Sequence, residues 1–178
     1  MAQPTHLPSR ALKARLEKLV AETAAAYPKA VILFGSAVPY LDAPENNPRP
    51  NDLDILLICD NPLLGLDLKE IEPPVELHRL RSDEAAAVAR TLRYDTRALA
   101  LSKLYAKNVA AQHAKEVILA AMLLGPGYND FGIQQIEIEG LSDPRDYSVH
   151  QVLYGHDWWR RLTAWARERR TFFQRMAD

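Results

Sequence analysis

Residues 29–62 read KAVILFGSAVPYLDAPENNPRPNDLDILLICDNP. Two apolar runs lie inside this stretch, VILF (31–34) and LDILLIC (53–59). Each is short, rich in β-branched and aliphatic residues and bounded by turn formers, which is the pattern of a buried strand. Gly35-Ser36 follows the first run directly. The spacer PYLDAPENNPRPN (39–51) holds four prolines and three asparagines and is expected to be a loop. Asp52 and Asp54 stand at the mouth of the second run, two residues apart. Side chains of a strand alternate between faces, so the two carboxylates share one face where burial begins.

Working outward, Leu12, Leu16, Leu19 and Val20 form one stripe of a helix for which Ser9 is a candidate N-cap, and Tyr27-Pro28 ends it. Downstream, Asn61-Pro62 turns the chain and LLGLDLKEI leads to Pro73-Pro74. VELHRL (75–80) alternates apolar and polar, the period of a half-buried strand. Ser82-Asp83-Glu84 then opens a helix with acids in its first turn, where the macrodipole favours them. From 84 to 124 the chain is mostly Ala, Leu, Arg and Lys at helical spacing, with a break at Tyr94-Asp95-Thr96. GPGYNDFG (125–132) reads as loop, IQQIEIEG (133–140) fits strand or helix, and Asp143-Pro144 resembles an N-cap and first helical residue. Helix is expected from there to the C-terminus, with an interruption at Gly155. These elements predict an α+β chain: a small mixed sheet over residues 1–80, then a helical half over 81–178.

Two carboxylates this close repel unless a cation lies between them. A hard divalent ion is the usual resolution, and Mg²⁺ takes one or two carboxylates and completes its shell with water and substrate phosphates. Gly35 lets backbone approach a ligand without a Cβ in the way, and the N–H groups beyond it, with the Ser36 hydroxyl, can cradle phosphate oxygens. Glu76 points away from the face that Val75 and Leu77 bury and is the candidate third carboxylate; Asp67, Glu70 and Glu72 are alternatives. His78 shares the face of Glu76 and reads as a surface histidine.

The succession LFGSA, spacer, NDLDILLI and VEL resembles the nucleotidyltransferase core of the DNA polymerase β superfamily. It is most similar to the small bacterial members, including minimal nucleotidyltransferases of toxin–antitoxin pairs and kanamycin nucleotidyltransferase-like enzymes. The resemblance covers about residues 10–80. It implies that Gly35 and Ser36 bind NTP phosphates, that Asp52, Asp54 and Glu76 hold Mg²⁺, and that NMP passes to a hydroxyl acceptor, whether small molecule, tRNA or protein. Two features depart from the pattern: the spacer before Asp52 is longer, and Glu76 stands where Asp is commoner. A non-catalytic nucleotide-binding module is the alternative from another class. A second alternative comes from RDYSVH (145–150), which resembles the Arg-x4-His signature of helical HEPN ribonucleases and would make Arg145 and His150 catalytic.

The rest of the composition narrows the field. The 178 residues carry a net charge of −1, so any nucleic-acid contact must come from a local patch. One such patch is the last helix, with Arg160, Arg161, Arg167, Arg169, Arg170 and Arg175 as a candidate RNA contact; its Trp158, Leu162, Trp165, Phe172 and Met176 follow core spacing. Cys59 is the sole cysteine, which excludes an internal disulfide, fits a reducing compartment and reads as a small core hydrophobe. The start lacks a secretory h-region, and the run VILAAMLLG (117–125) is too short to span a bilayer. A cytoplasmic chain without a membrane partner is the expectation.

Overall fold

The computed structural model describes residues 9–61, 67–68, 73–94, 116, 119–120, 123–124 and 150–177. Within them the chain is mixed α and β, in the order α1 (Ser9–Ala24), β1 (Ala30–Phe34), α2 (Ala37–Asp42), β2 (Leu53–Ile58), β3 (Val75–Leu80), α3 (Ser82–Tyr94), β4 (His150–Tyr154) and α4 (His156–Ala177). The four strands form one sheet in the order β3-β2-β1-β4. β1 runs antiparallel to both β2 and β4, whereas β2 and β3 are parallel.

Both faces of this sheet are covered, which is why its central strands are apolar, save Asp54, rather than alternating. All five residues of β1 are fully buried. Val31, Leu33, Ile55 and Leu57 face α1 and α2, where Leu12, Leu16 and Leu19 supply the opposing stripe. Ile32, Phe34, Leu56 and Ile58 face the other way, onto Val88 of α3, Trp159 and Ala166 of α4, and Leu119, Leu123 and Leu124. Each such aliphatic side chain contributes about 1.5–3 kcal/mol by leaving water. Leu119, Ala120, Leu123 and Leu124 have helical backbone, and their spacing puts them on a single buried stripe.

Three expectations from the sequence are corrected. Pro39 to Asp42 were expected in a loop, but they belong to α2; a proline in the first turn of a helix lacks only an N–H that has no intrahelical partner anyway. Asn47 then ties the spacer down, donating from its side chain to the carbonyls of Pro39 (3.0 Å) and Ala43 (2.9 Å). Residues 150–154 were expected to be helical, but form β4 at the sheet edge, so the sheet draws strands from both sides of residue 80. Cys59 is only partly buried; its thiol donates to the carbonyls of Ala26 and Asn61 at the margin of the core. On α4 the buried stripe is centred on Trp159 and Ala166, with Trp158, Leu162 and Trp165 flanking it. The segments 95–115 and 125–149, the side chain of Ser9, Glu70, Glu72, and the side chains of Arg167, Arg169, Arg170, Phe172, Arg175 and Met176 lie outside the described residues. Among the described residues no helix is long and apolar enough to cross a membrane.

The start of α3 is capped from across the fold. Arg81 occupies the N-cap position but has no acceptor to offer, so Asp60, just past β2, accepts from the Ser82 backbone N–H (2.8 Å) and hydroxyl (2.7 Å). Glu84 reaches back to the Arg81 N–H at 2.8 Å, the reciprocal half of a capping box. The Ser82 side-chain and backbone hydrogen bonds hold the Asp60 carboxyl below its ordinary value of 3.8. A depressed folded pKa adds stability that is present above the unfolded value and is lost as pH falls through the folded one. Asp60→Ala is therefore expected to lower stability by about 1 kcal/mol near pH 7, at the modest end because Asp60 is exposed and solvent screens it. The gap to the native protein should shrink as pH drops below 3.8. Urea melts of both proteins at neutral and acid pH measure it, and a gap that widens in acid would contradict the capping role.

Candidate metal centre

The sheet register assembles the site. Phe34 at the end of β1 lies opposite Asp54 of β2 on one side and His150 of β4 on the other. Asp54 in turn lies opposite Glu76 of β3, and Leu56 opposite His78. Directly opposed residues of neighbouring strands point to the same face, so these side chains form a row at one end of the sheet, on the side that carries α3 and α4. Because β1 runs against β2, Gly35 and Ser36 at the C-terminal end of β1 reach the same end of the sheet as the start of β2.

Asp54, Glu76 and His78 each offer one ligand atom, and these atoms lie within 4.8 Å of one another. His78 Nε2 stands 3.4 Å from Glu76 Oε1 and 4.0 Å from Asp54 Oδ1. Exposure falls steeply across the triad: the Glu76 side chain is 47% exposed, Asp54 16% and His78 5%. The group could hold a metal ion, with Glu76 on its solvent side. The imidazole of His78 packs at a tilt on the Phe34 ring, centroids 5.5 Å apart. On its far side, Nδ1 is 3.9 Å from Glu116 Oε1, and the other oxygen of Glu116 is buried with no hydrogen-bond partner among the described residues.

Gly35 is shaped to this cluster. Its φ is +74°, in the left-handed region that disfavours a side chain, and a Cβ there would lie 2.6 Å from Asp54 Oδ2. The glycine thus keeps open the space that the Asp54 carboxylate occupies. Ser36 next to it is exposed and begins α2 without a side-chain capping hydrogen bond.

The five residues singled out in the sequence therefore divide. Asp54 and Glu76 are brought together, and Gly35 abuts Asp54. Asp52 lies half-buried in the bend before β2 and is not one of the 4.8 Å group; the strand ladder begins only at Leu53. Asp67 is exposed and also outside the group. The expectation of a surface His78 is overturned, since it is 4% exposed at the centre of the cluster. The alternation of VELHRL held that signal: position 78 lies on one face between Glu76 and the apolar Leu80. Glu116 was missed, although it heads the helical stripe Glu116, Leu119, Ala120, Leu123, Leu124 and so places an acid on a buried face.

His150 was expected at a helix start. It opens β4 instead, where its Nε2 accepts from Trp159 Nε1 at 3.3 Å and the two rings meet edge to face, 82° apart. Arg145 lies outside the described residues. Two hollows flank the sheet. The larger, about 580 Å³, lies on the opposite face between α1 and β4, against Leu16, Val20 and Leu153, and shares no residue with the acid cluster. A cleft of about 290 Å³ lies at the mouth of β2 and β3, lined by Arg49, Pro50, Asn51, Pro73 and Pro74, directly before Asp52. Comparison with family models, curated proteins and solved structures finds no match to this chain.

Proposed function

We propose that the chain is a divalent-cation-dependent nucleotidyltransferase that moves an NMP from an NTP to a hydroxyl acceptor. The observation that carries the reading is the pairing of Asp54 with Glu76 across parallel strands, with Gly35 against the Asp54 carboxylate. Two carboxylates on one sheet end, beside a glycine turn that admits no Cβ, suit a hard cation with phosphate in its outer shell. Mg²⁺, the ion implied by resemblance, would be held by Asp54 and Glu76, with Asp52 reaching in from the bend. Such an ion neutralises triphosphate and pyrophosphate charge.

The residues of the chain divide the remaining work. The turn at Gly35-Ser36 orients the phosphates through backbone N–H groups and the exposed Ser36 hydroxyl. Arg49, at the cleft before Asp52, offers a positive charge to the acceptor or the triphosphate. The acceptor oxygen bonds to the α-phosphorus as the bond to the bridging oxygen breaks and pyrophosphate leaves. Glu76 has the exposure required to take the acceptor's proton on a carboxylate oxygen. His150 lies in a strand rather than at a helix start, which withdraws one support of the ribonuclease alternative.

Thermal melts test the reading. NTP together with Mg²⁺ should raise the midpoint more than either alone, since a ligand at about 100 times its Kd adds about 2.7 kcal/mol. If no NTP shifts the melt at millimolar concentration with Mg²⁺ present, the nucleotide site does not exist.

A further inference from the structure

We propose that the cluster is a nitrogen-containing centre for a first-row transition ion of the Mn²⁺-to-Zn²⁺ series, with His78 Nε2 as a direct ligand and Glu116 as the carboxylate that orients it. The inference deepens the nucleotidyltransferase reading by naming the ion of the same site.

Distances carry the first part. His78 Nε2 stands 3.4 Å from Glu76 Oε1, close enough for the two atoms to share one ion. Two ligands that are each about 2.1 Å from a shared ion stand about 3.0–3.4 Å apart at octahedral or tetrahedral angles, and about 4.2 Å apart when opposed. The 3.4 Å spacing of Nε2 from Glu76 matches a tetrahedral angle, and the 4.0 Å spacing from Asp54 lies between the tetrahedral and the opposed values. His78 and Glu76 are spaced as ligands of one ion, with Asp54 within reach of it.

Chemistry carries the second part. Mg²⁺ prefers oxygen donors and keeps much of its water. An imidazole nitrogen among two carboxylates suits Mn²⁺, Co²⁺ or Zn²⁺ better, and affinity rises along that series up to copper. Burial sharpens the choice. His78 is held at 5% side-chain exposure against Phe34, so the ring is fixed and does not swing aside to leave the carboxylates to a hydrated ion.

The far side of the ring supplies the independent observation. Metal-bound histidines commonly present their second nitrogen to a carboxylate, which fixes tautomer and orientation. Here Nδ1 faces Glu116 Oε1 at 3.9 Å, from a helical residue whose neighbours Leu119 and Ala120 are buried in the core. A shift of about 1 Å closes that gap to a charge-assisted hydrogen bond of about 2.7–2.9 Å. The neighbouring apolar stripe accounts for the burial of the Glu116 oxygen but not for its being a carboxylate; an acceptor for the Nδ1–H of the ring suits that position.

The test uses the 178-residue chain, stripped with chelator and loaded with Mn²⁺ or Co²⁺. Pulsed EPR of the Mn²⁺ protein should show a directly coordinated nitrogen, which requires no variant. His78→Gln should abolish that coupling and weaken Co²⁺ binding, followed by its visible absorption, by about 100-fold or more, while Mg²⁺ binding moves by less than about threefold. Glu116→Gln should keep the coupling and weaken Co²⁺ binding by about 10- to 100-fold. Absence of nitrogen coupling in the native protein, or native Co²⁺ affinity in His78→Gln, overturns the proposal. Nitrogen coupling in a protein that no NTP stabilises leaves the metal centre standing and removes nucleotidyl transfer. NTP stabilisation with Mg²⁺ in a protein lacking the coupling does the reverse.

Discussion

Asp54→Asn is expected to abolish NMP transfer, by about a thousand-fold or more, while the chain stays folded. The substitution keeps the size and shape that fit against Gly35, where a Cβ would come within 2.6 Å of Asp54 Oδ2. What it removes is a negative charge opposite Glu76, at a position where 16% exposure leaves little water to replace it. A thousand-fold loss corresponds to about 4 kcal/mol, within the range that a single charged group can add to transition-state stabilisation in a desolvated site. Apo stability should stay within about 1 kcal/mol of native, because relief of Asp54–Glu76 repulsion offsets the weakened attraction to His78. Transfer assays with labelled NTP and urea melts on the same preparation separate the two effects. An unfolded Asp54→Asn would make the carboxylate structural and remove it from the chemistry, and a folded one with native transfer rates would leave the catalytic centre elsewhere.

Gly155→Ala should be the most destabilising single substitution among the described glycines. Gly155 joins β4 to α4 with φ at +77°, and its carbonyl accepts the first helical bond from Trp159 N–H at 3.0 Å. A Cβ there would lie 1.9 Å from the carbonyl oxygen of Lys29 and 2.9 Å from the Ala30 Cα. These are backbone atoms at the start of the central strand, so no side chain can rotate away. The left-handed backbone costs a non-glycine residue about 1–2 kcal/mol, and forced displacement of packed structure adds about 1–3. A loss of about 3 kcal/mol, or about 6–12 °C in melting midpoint for a chain of this size, is expected. Differential scanning calorimetry reads it; a midpoint within about 2 °C of native would mean that β4 does not pack on β1 as described.

The sequence made the inner sheet legible because burial imprints on composition. β1 and β2 are covered on both faces and so appear as apolar runs, β2 broken only at Asp54, while the half-covered β3 alternates. Asp54 stood out because it interrupts such a run. The sequence did not reveal β4. HQVLY is half-exposed, has no strong alternation and follows an Asp-Pro that points to a helix; only the open edge of β1 makes it a strand. His78 and Glu116 fall between. Each is a polar group on an otherwise apolar stripe, visible in retrospect, but the element opposite decides whether such a group is solvated or enclosed. For His78 those neighbours are Phe34 and a helical residue remote in sequence.

The sheet order has a consequence for how the chain comes into being. β1 is flanked on one edge by β2, which follows it closely in sequence, and on the other by β4, which lies beyond α3 and the segment bearing Leu119 and Leu123. During synthesis the most apolar of the described strands emerges well before β4 and waits, one edge unpaired, until β4 follows. An open edge of that kind is a template for pairing with another chain. Closing it joins residues far apart in sequence, the slow class of contact in folding. Vulnerability to aggregation should therefore concentrate in nascent chains that have displayed AVILF but not yet HQVLY, an interval that faster elongation would shorten and a chaperone on the edge would cover.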